Sequence, residues 1–378
     1  MGYLTKTKNS VRKIIKKLLW HCSDTEANRK FRIYSRIEFP FKNKEVIIDD
    51  LKIKKSMEMF SNFEQYEFIV KLTKKSIIEP DYGWIITGFN NILCDSLPYG
   101  TEYLLPSFKK YIKTKLCSKE KIKKEKIVIS LRDTSETSYF HFYNDVLNKI
   151  VLLDDFKIDE NIPIVISKNL SQKTFFKDVL NRSNLKKRAW IIQDNFYIEA
   201  DEIIYCKNFP HNKAHFEKLL DLLNIPEPDL NTERRIFLTR DPSKGRNLEN
   251  INEIIGICTK YGFEIVDTEK MSLDEQIKLF SNSRNIVGLH GAGLTNIIFR
   301  RGGPLSLLEI FPPDNIPPHY YWLTIIFNYK YDGIVGTYSN SDEEKNFEPL
   351  KRPYYLNPDI FIKKLERLEK EKFFTPLK

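Results

Sequence analysis

The chain has 378 residues, 41% of them hydrophobic and 13% aromatic, with a formal net charge of +10. That length holds two domains of ordinary size, the composition excludes a disordered chain, and no apolar run reaches the roughly 18–20 residues of a membrane span. The five cysteines (Cys22, Cys94, Cys117, Cys206, Cys258) are scattered without a Cys-x-x-Cys pair, which predicts a reducing cytoplasm and no structural zinc; lysines break the N-terminal apolar stretch, so no signal peptide is expected.

The charge is uneven. Residues 1–31 hold eight Lys/Arg against two Asp/Glu. Val11, Ile14, Ile15, Leu18 and Leu19 recur there at helical spacing, with Lys13, Lys16 and Lys17 between them and Trp20 at the end. This is a basic amphipathic helix, either resting on an anionic membrane surface or packed on its own domain with a solvated basic face. Residues 40–105 read as shorter strands and turns with no evident assembly. A second basic run, 109–126, contains nine lysines and reads as a solvated helix and loop, or as a contact for an anionic acceptor or lipid. No zinc-finger, RNP-type or helix-turn-helix pattern supports nucleic acid as the partner.

Further along, 126–131 is a predicted strand, 139–150 a helix, and 163–167, 188–193 and 201–205 strands. Residues 211–223 form a helix and 225–229 a linker. From there the alternation is regular: strand 235–239, a helix marked by Ile251, Ile254, Ile255 and Ile257 that stops at Gly262, and strand 263–266 ending at Asp267. Ser272 and Glu275 form a capping box for the next helix. Strand 286–289, a glycine turn, a short helix to Arg300 and strand 305–310 follow, and 357–374 is a charged tail helix. Strands alternating with helices predict an α/β fold with a parallel, doubly wound sheet. Ligands of such sheets sit at the C-terminal strand ends, where Thr239, Asp267, His290 and Glu309 fall.

Three features share that edge. The first is the strand-to-turn junction His290-Gly291-Ala292-Gly293-Leu294-Thr295-Asn296, whose small residues let an anion approach backbone N–H groups at a helix start. It departs from the dinucleotide fingerprint, because Asn296 stands where the third glycine belongs, and this argues against a nucleotide-dependent dehydrogenase. The second is the loop Arg240-Asp241-Pro242-Ser243-Lys244-Gly245-Arg246, whose guanidinium groups can grip phosphate oxygens. The third is Glu309, a carboxylate able to accept hydrogen bonds from a ribose diol. Together they would hold a nucleoside diphosphate. Separately, His141 and Asp145 lie four apart on a predicted helix and share a face, a pair suited to orient an imidazole or take a proton from a hydroxyl. His211 and His215 are also four apart, but no His-Glu-x-x-His motif accompanies them and no metal is expected there.

These residues resemble a known family. Arg240 to Arg246, Gly262-Phe263, Glu275-Gln276, the stretch from Ile286 to Asn296 and Leu308-Glu309-Ile310 are similar to the glycosyltransferase family 61 pattern, and Tyr139-Phe140-His141-Phe142 resembles its N-terminal motif. The family's Leu-Pro-Arg after the histidine helix is here Leu147-Asn148-Lys149, and the segment after Arg246 carries an extra residue. The resemblance implies a GT-B-like enzyme: two facing Rossmann-like domains with parallel sheets, the C-terminal one holding the donor, and inversion at the anomeric carbon. On this reading 1–35 is the basic segment, 36–228 the acceptor-side domain, 229–350 the nucleotide-sugar domain and 351–378 a helical tail. The base is Asp145 or His141, with Asp145 preferred. The donor, expected to be UDP-linked, meets Arg240, Arg246, His290, Gly291, Ala292, Gly293, Leu294, Thr295, Asn296 and Glu309. No metal or other cofactor is expected, and the chain contains no Asp-x-Asp. The acceptor is a glycan hydroxyl, with a lipid-linked acceptor fitting a cytoplasmic enzyme at the inner face of a bacterial plasma membrane that builds capsule, lipopolysaccharide or another surface polysaccharide. The alternative is a non-catalytic glycan-binding protein on the same fold.

Overall fold

The computed structural model describes residues 20–23, 29–33, 48–59, 66–93, 96, 107–117, 121–207, 212–241, 243, 245–338 and 352–375. The expected basic helix over 11–19 lies outside them, as does His211. The chain forms two compact units. One comprises the described residues of Met1–Tyr34 and Gln65–Pro210, the other those of Ser35–Glu64 and His211–Lys378. Among the described residues no helix is long and apolar enough to cross a membrane.

The first unit is built on a mixed sheet of ten strands among the described residues. They are β1 His21–Ser23, β2 Arg29–Ile33, β3 Tyr66–Leu72, β4 Ser76–Ile78, β5 Ile85–Ile86, β6 Asn91–Leu93, β7 Ile122–Ser130, β8 Ile164–Ser167, β9 Trp190–Gln193 and β10 Tyr197–Lys207. The order β10-β7-β8-β9 is parallel, as the alternation predicts. The other edge of β10 takes β3 and β4 antiparallel, which makes the sheet mixed rather than purely parallel. β7 begins inside the basic run that reads as helix and loop. Its first half alternates, with Lys123, Lys124 and Lys126 exposed, and its second half, Val128 to Ser130, is buried. A helix does form before it, Phe108–Cys117. The predicted helix over 139–150 is three joined segments: α Tyr139–His141, a π turn Phe142–Leu147 and α Asn148–Asp155.

The second unit is a doubly wound parallel sheet. Its strands are β11 Arg235–Leu238, β12 Glu264–Val266, β13 Asn285–Leu289, β14 Ser306–Phe311 and β15 Lys330–Val335, in the order β12-β11-β13-β14-β15. Every pairing is parallel. β11, β13 and β14 are buried along their whole length, as strands covered on both faces must be. The predicted capping box is present: the Glu275 N–H donates to the Ser272 hydroxyl, and the Glu275 carboxylate accepts from the Ser272 N–H. The helices Ile251–Lys260 and Pro358–Lys370 cover the sheet through Ile254, Cys258, Phe361 and Leu365, which are buried with Phe237, Val287 and Leu308. Two further helices, Leu51–Met59 and His319–Phe327, also pack in this unit. Gly333 on β15 leaves room for Ile53, because a Cβ there would lie 2.5 Å from Ile53 Cδ1.

Candidate active site

The strand order turns around between β11 and β13. β11 has β12 on one side and β13 on the other, so the connections from their C-terminal ends diverge and leave a crevice, the usual ligand position in such sheets. The Arg240–Arg246 loop leaves β11 there, and the glycine turn leaves β13. The turn opens a 3-10 helix, Ala292–Arg300, that no side chain caps. Its leading N–H groups therefore present the positive end of the helix toward the crevice. Gly291 is closely approached: a Cβ on it would lie 2.9 Å from Arg240 Nη1, the end of a flexible side chain, and that same nitrogen donates to the His290 carbonyl at 3.3 Å. Gly245 and Arg246 are both left-handed, with φ of 71° and 54°. For arginine this conformation costs about 1–2 kcal/mol, and such strain persists where the surroundings impose it, commonly at functional sites. The Arg240 guanidinium is pushed down from its ordinary value by burial and by the neighbouring charge of Arg246. Two cations held this close favour an anion between them.

His290 is the floor of the crevice. It is 4% exposed, and its Nδ1 lies 2.6 Å from Glu309 Oε1 on β14. The Tyr331 hydroxyl on β15 donates to Glu309 Oε2 at 2.8 Å. Burial raises the Glu309 carboxyl well above its ordinary value. Burial, followed by the charges of Arg246 and Arg240, holds His290 down at about 3. Both shifts disfavour charge on the pair, and the short contact fixes the orientation of the imidazole ring. The ring stacks on Phe311, centroids 5.3 Å apart, and has His319 and Tyr320 beside it at 6.4 and 5.4 Å.

The Glu309 carboxyl, expected from the sequence to face a ribose, is fully buried, with one oxygen against His290 and the other accepting from Tyr331. Leu294, Thr295 and Asn296 are buried as well. Leu294 packs over Gly288, where a Cβ would come 2.7 Å from Leu294 Cδ2, and the Asn296 amide donates to Gln276 Oε1 at 2.7 Å. Their side chains shape the turn from below. The accessible part is Gly291, Ala292 and Gly293.

In the first unit, the loop after β7 and the π turn build a second cluster. His141 Nδ1 lies 2.5 Å from Asp145 Oδ2, and the Asn144 amide donates to Asp145 Oδ1 at 2.7 Å. Asp145 thus holds the imidazole with one carboxylate oxygen and the Asn144 amide with the other. Burial lowers the His141 value, but the hydrogen bond and charge of Asp145, joined by the charge of Asp133, outweigh it and leave the imidazole above its ordinary value. Asp133, at the C-terminal end of β7, is itself bound at 3.1 Å by the buried ammonium of Lys149. Sequence reading picks out neither of these as a pair. Lys149 enters it only as a departure from an arginine, and here it supplies the cation. His215, with its ring buried in the helix Lys213–Leu222, has no part in either cluster. Among the described residues no group of three or more His, Cys, Asp or Glu is placed to hold a metal ion.

Both clusters fall largely within one stretch that comparison with known proteins picks out. Residues 139–305 match the Glycosyltransferase 61 family. This is the family expected from the motifs. An EGF domain-specific O-linked N-acetylglucosamine transferase of Drosophila melanogaster is 29% identical over 97 residues, which is 25% of this chain and 19% of that protein. The chain thus spans about a fifth of that relative's length. The Glycosyltransferase 61 stretch takes in His141, Asp145, Arg240, Arg246 and the glycine turn, while Glu309 and Tyr331, which support His290, lie beyond its end.

Proposed function

We propose that this protein is an inverting glycosyltransferase that moves a sugar from a nucleotide-sugar donor to an acceptor hydroxyl. The observation that carries this reading is the pairing of Arg240 and Arg246 beside His290 and the uncapped turn at Gly291, at the switch point of a parallel sheet. The donor diphosphate lies against the two guanidinium groups and the N–H groups of Ala292 and Gly293, beside His290. As the bond from C1 to the diphosphate breaks, these groups stabilise the leaving charge. The family resemblance supplies His141 or Asp145 as the base that takes the proton of the acceptor hydroxyl. The two units act as donor-side and acceptor-side domains in a GT-B-like enzyme that draws its positive charge from arginine rather than from a metal. The UDP-linked donor, and a glycan acceptor in bacterial capsule, lipopolysaccharide or other surface polysaccharide assembly on the cytoplasmic side of the plasma membrane, rest on the family resemblance.

Calorimetric titration with UDP, GDP and CMP in EDTA tests the donor site. One nucleotide is expected to bind selectively, and Arg246→Ala is expected to weaken it about 10- to 100-fold, the effect of losing a charged hydrogen bond. A folded protein that binds none of the three would sink the diphosphate site and favour a glycan-binding protein. Gly291→Ala tests the close approach separately. The added methyl displaces Arg240 from the His290 carbonyl, so affinity should fall about tenfold with an unchanged urea midpoint. Unaltered affinity would place the phosphates elsewhere.

A further inference from the structure

Trp20 packs against the helix that opens the second basic tract of the sequence. Trp20, at the end of the first, is 3% exposed. Its ring lies 5.1 Å from Phe108 and 5.5 Å from Tyr111, on the helix Phe108–Cys117 that opens the second tract. Trp20 and Tyr111 belong to one core cluster with Trp84, Ile86 and Tyr197, so the junction is anchored. Residues 1–20 carry six Lys/Arg and no acidic residue, and 107–126 carry nine lysines against two glutamates.

Apolar side chains stand out among these lysines. Lys109, Lys113 and Leu116 follow the i, i+4, i+7 spacing that lines one strip of a helix. Leu116 is 74% exposed, and both lysines are exposed. Phe89 is 65% exposed, and its ring lies 5.7 Å from Phe108 at the start of the same helix. Lys110 is instead paired with Asp81 at 2.8 Å, and Lys115 donates to the Tyr111 hydroxyl at 3.2 Å. Exposed Phe and Leu bordered by lysines match a bilayer interface, where rings and aliphatic chains enter the acyl boundary and ammonium groups meet anionic headgroups.

We propose that this surface of the first unit, formed by Lys109, Lys113, Leu116 and Phe89 beside the Trp20 anchor, docks on an anionic lipid membrane. An acidic polymer would satisfy the charge alone and leave Phe89 and Leu116 without a role. The membrane uses both. The inference is independent of the sugar-transfer reading.

The test is co-sedimentation of the full chain with vesicles of phosphatidylcholine, and of phosphatidylcholine mixed with phosphatidylglycerol, at low and high salt. Binding is expected only with phosphatidylglycerol and should weaken in salt. Lys109→Glu/Lys113→Glu and Phe89→Ser/Leu116→Ser change exposed residues, so both variants should keep the wild-type circular dichroism melt. Each should lower the partition coefficient about tenfold or more. Equal binding to both vesicle types, or binding unchanged in the variants, overturns the proposal. So does dependence on the lysines alone, or salt-sensitive retention on heparin without vesicle binding, since either result describes an acidic-polymer site.

Discussion

His141→Ala should lower kcat about 10²- to 10⁴-fold, the usual contribution of a positioned base, and leave nucleotide affinity unchanged. Steady-state transfer assays and calorimetry on the same preparation separate the two effects. The pH dependence identifies the base. His141 must be neutral to accept a proton, and Asp145 and Asp133 hold its value above the ordinary 6.5. The wild-type kcat/KM should therefore rise with pH through an apparent value above 6.5. Asp145→Asn removes the largest raising influence, so that limb should move to lower pH while the maximal rate falls. If instead Asp145→Asn is as inactive as His141→Ala at every pH, Asp145 is the base and the histidine its partner. The same shift has a stability consequence. A histidine whose folded value exceeds its unfolded one stabilises fully below the unfolded value, and that contribution is lost as pH rises through the folded value. His141→Ala should remove this feature from the stability profile.

The second large effect is on folding. Asp332 on β15 is fully buried, and the ammonium of Lys364 lies 2.8 Å from it. Arg367 also bonds it, and Lys364 and Arg367 both reach Asp49. Lys364 and Arg367 lie on the helix Pro358–Lys370, so this network fastens that helix to the sheet. Asp332→Ala leaves the 6%-exposed Lys364 side chain without its buried partner. The expected loss is about 3–5 kcal/mol, read from the urea midpoint at constant m-value. A loss under about 1 kcal/mol would mean that Asp49 and solvent compensate. Burial, opposed by Lys364, raises Asp332 from 3.8 to about 6. A carboxyl raised in the folded state costs stability as it ionises. That cost is absent below pH 3.8 and complete above about pH 6, so Asp332→Ala should flatten the decline between them.

By itself, the sequence determined what depends on short spacing. The capping box at Ser272, the helix ending near Gly262, the strands ending at Leu238, Val266 and Leu289, and the glycine turn are each encoded within a few residues, so composition and period suffice to find them. The parallel sheet of the second unit follows from their alternation. The His141–Asp145 pair was legible for the same reason, as two residues one helical turn apart. The helix His319–Phe327 was missed because it is mostly apolar with little polar contrast, so that period is a weak signal, and strand β15 because Lys330, Asp332 and Gly333 interrupt the apolar run expected of a buried strand. The strands of the first unit before β7 are mostly short; β4, β5 and β6 pair in chain order, but β1 meets β6 and β3 and β4 meet β10 far along the chain, which nothing local specifies.

Only the tertiary structure decided the roles at the site. Glu309 reads as a ligand-facing carboxylate because strand ends carry such residues, yet its buried contacts come from His290, 19 residues before it, and Tyr331, 22 after it. The same holds for Asp133 and Lys149, which are 16 residues apart and joined across a loop and a π turn. Trp20 likewise meets Phe108 and Tyr111, partners far along the chain that no local spacing indicates. Local pattern fixes which side chains leave an element on one face, but which distant side chain meets them depends on sheet order and packing, and these set the burial that decides where a proton rests.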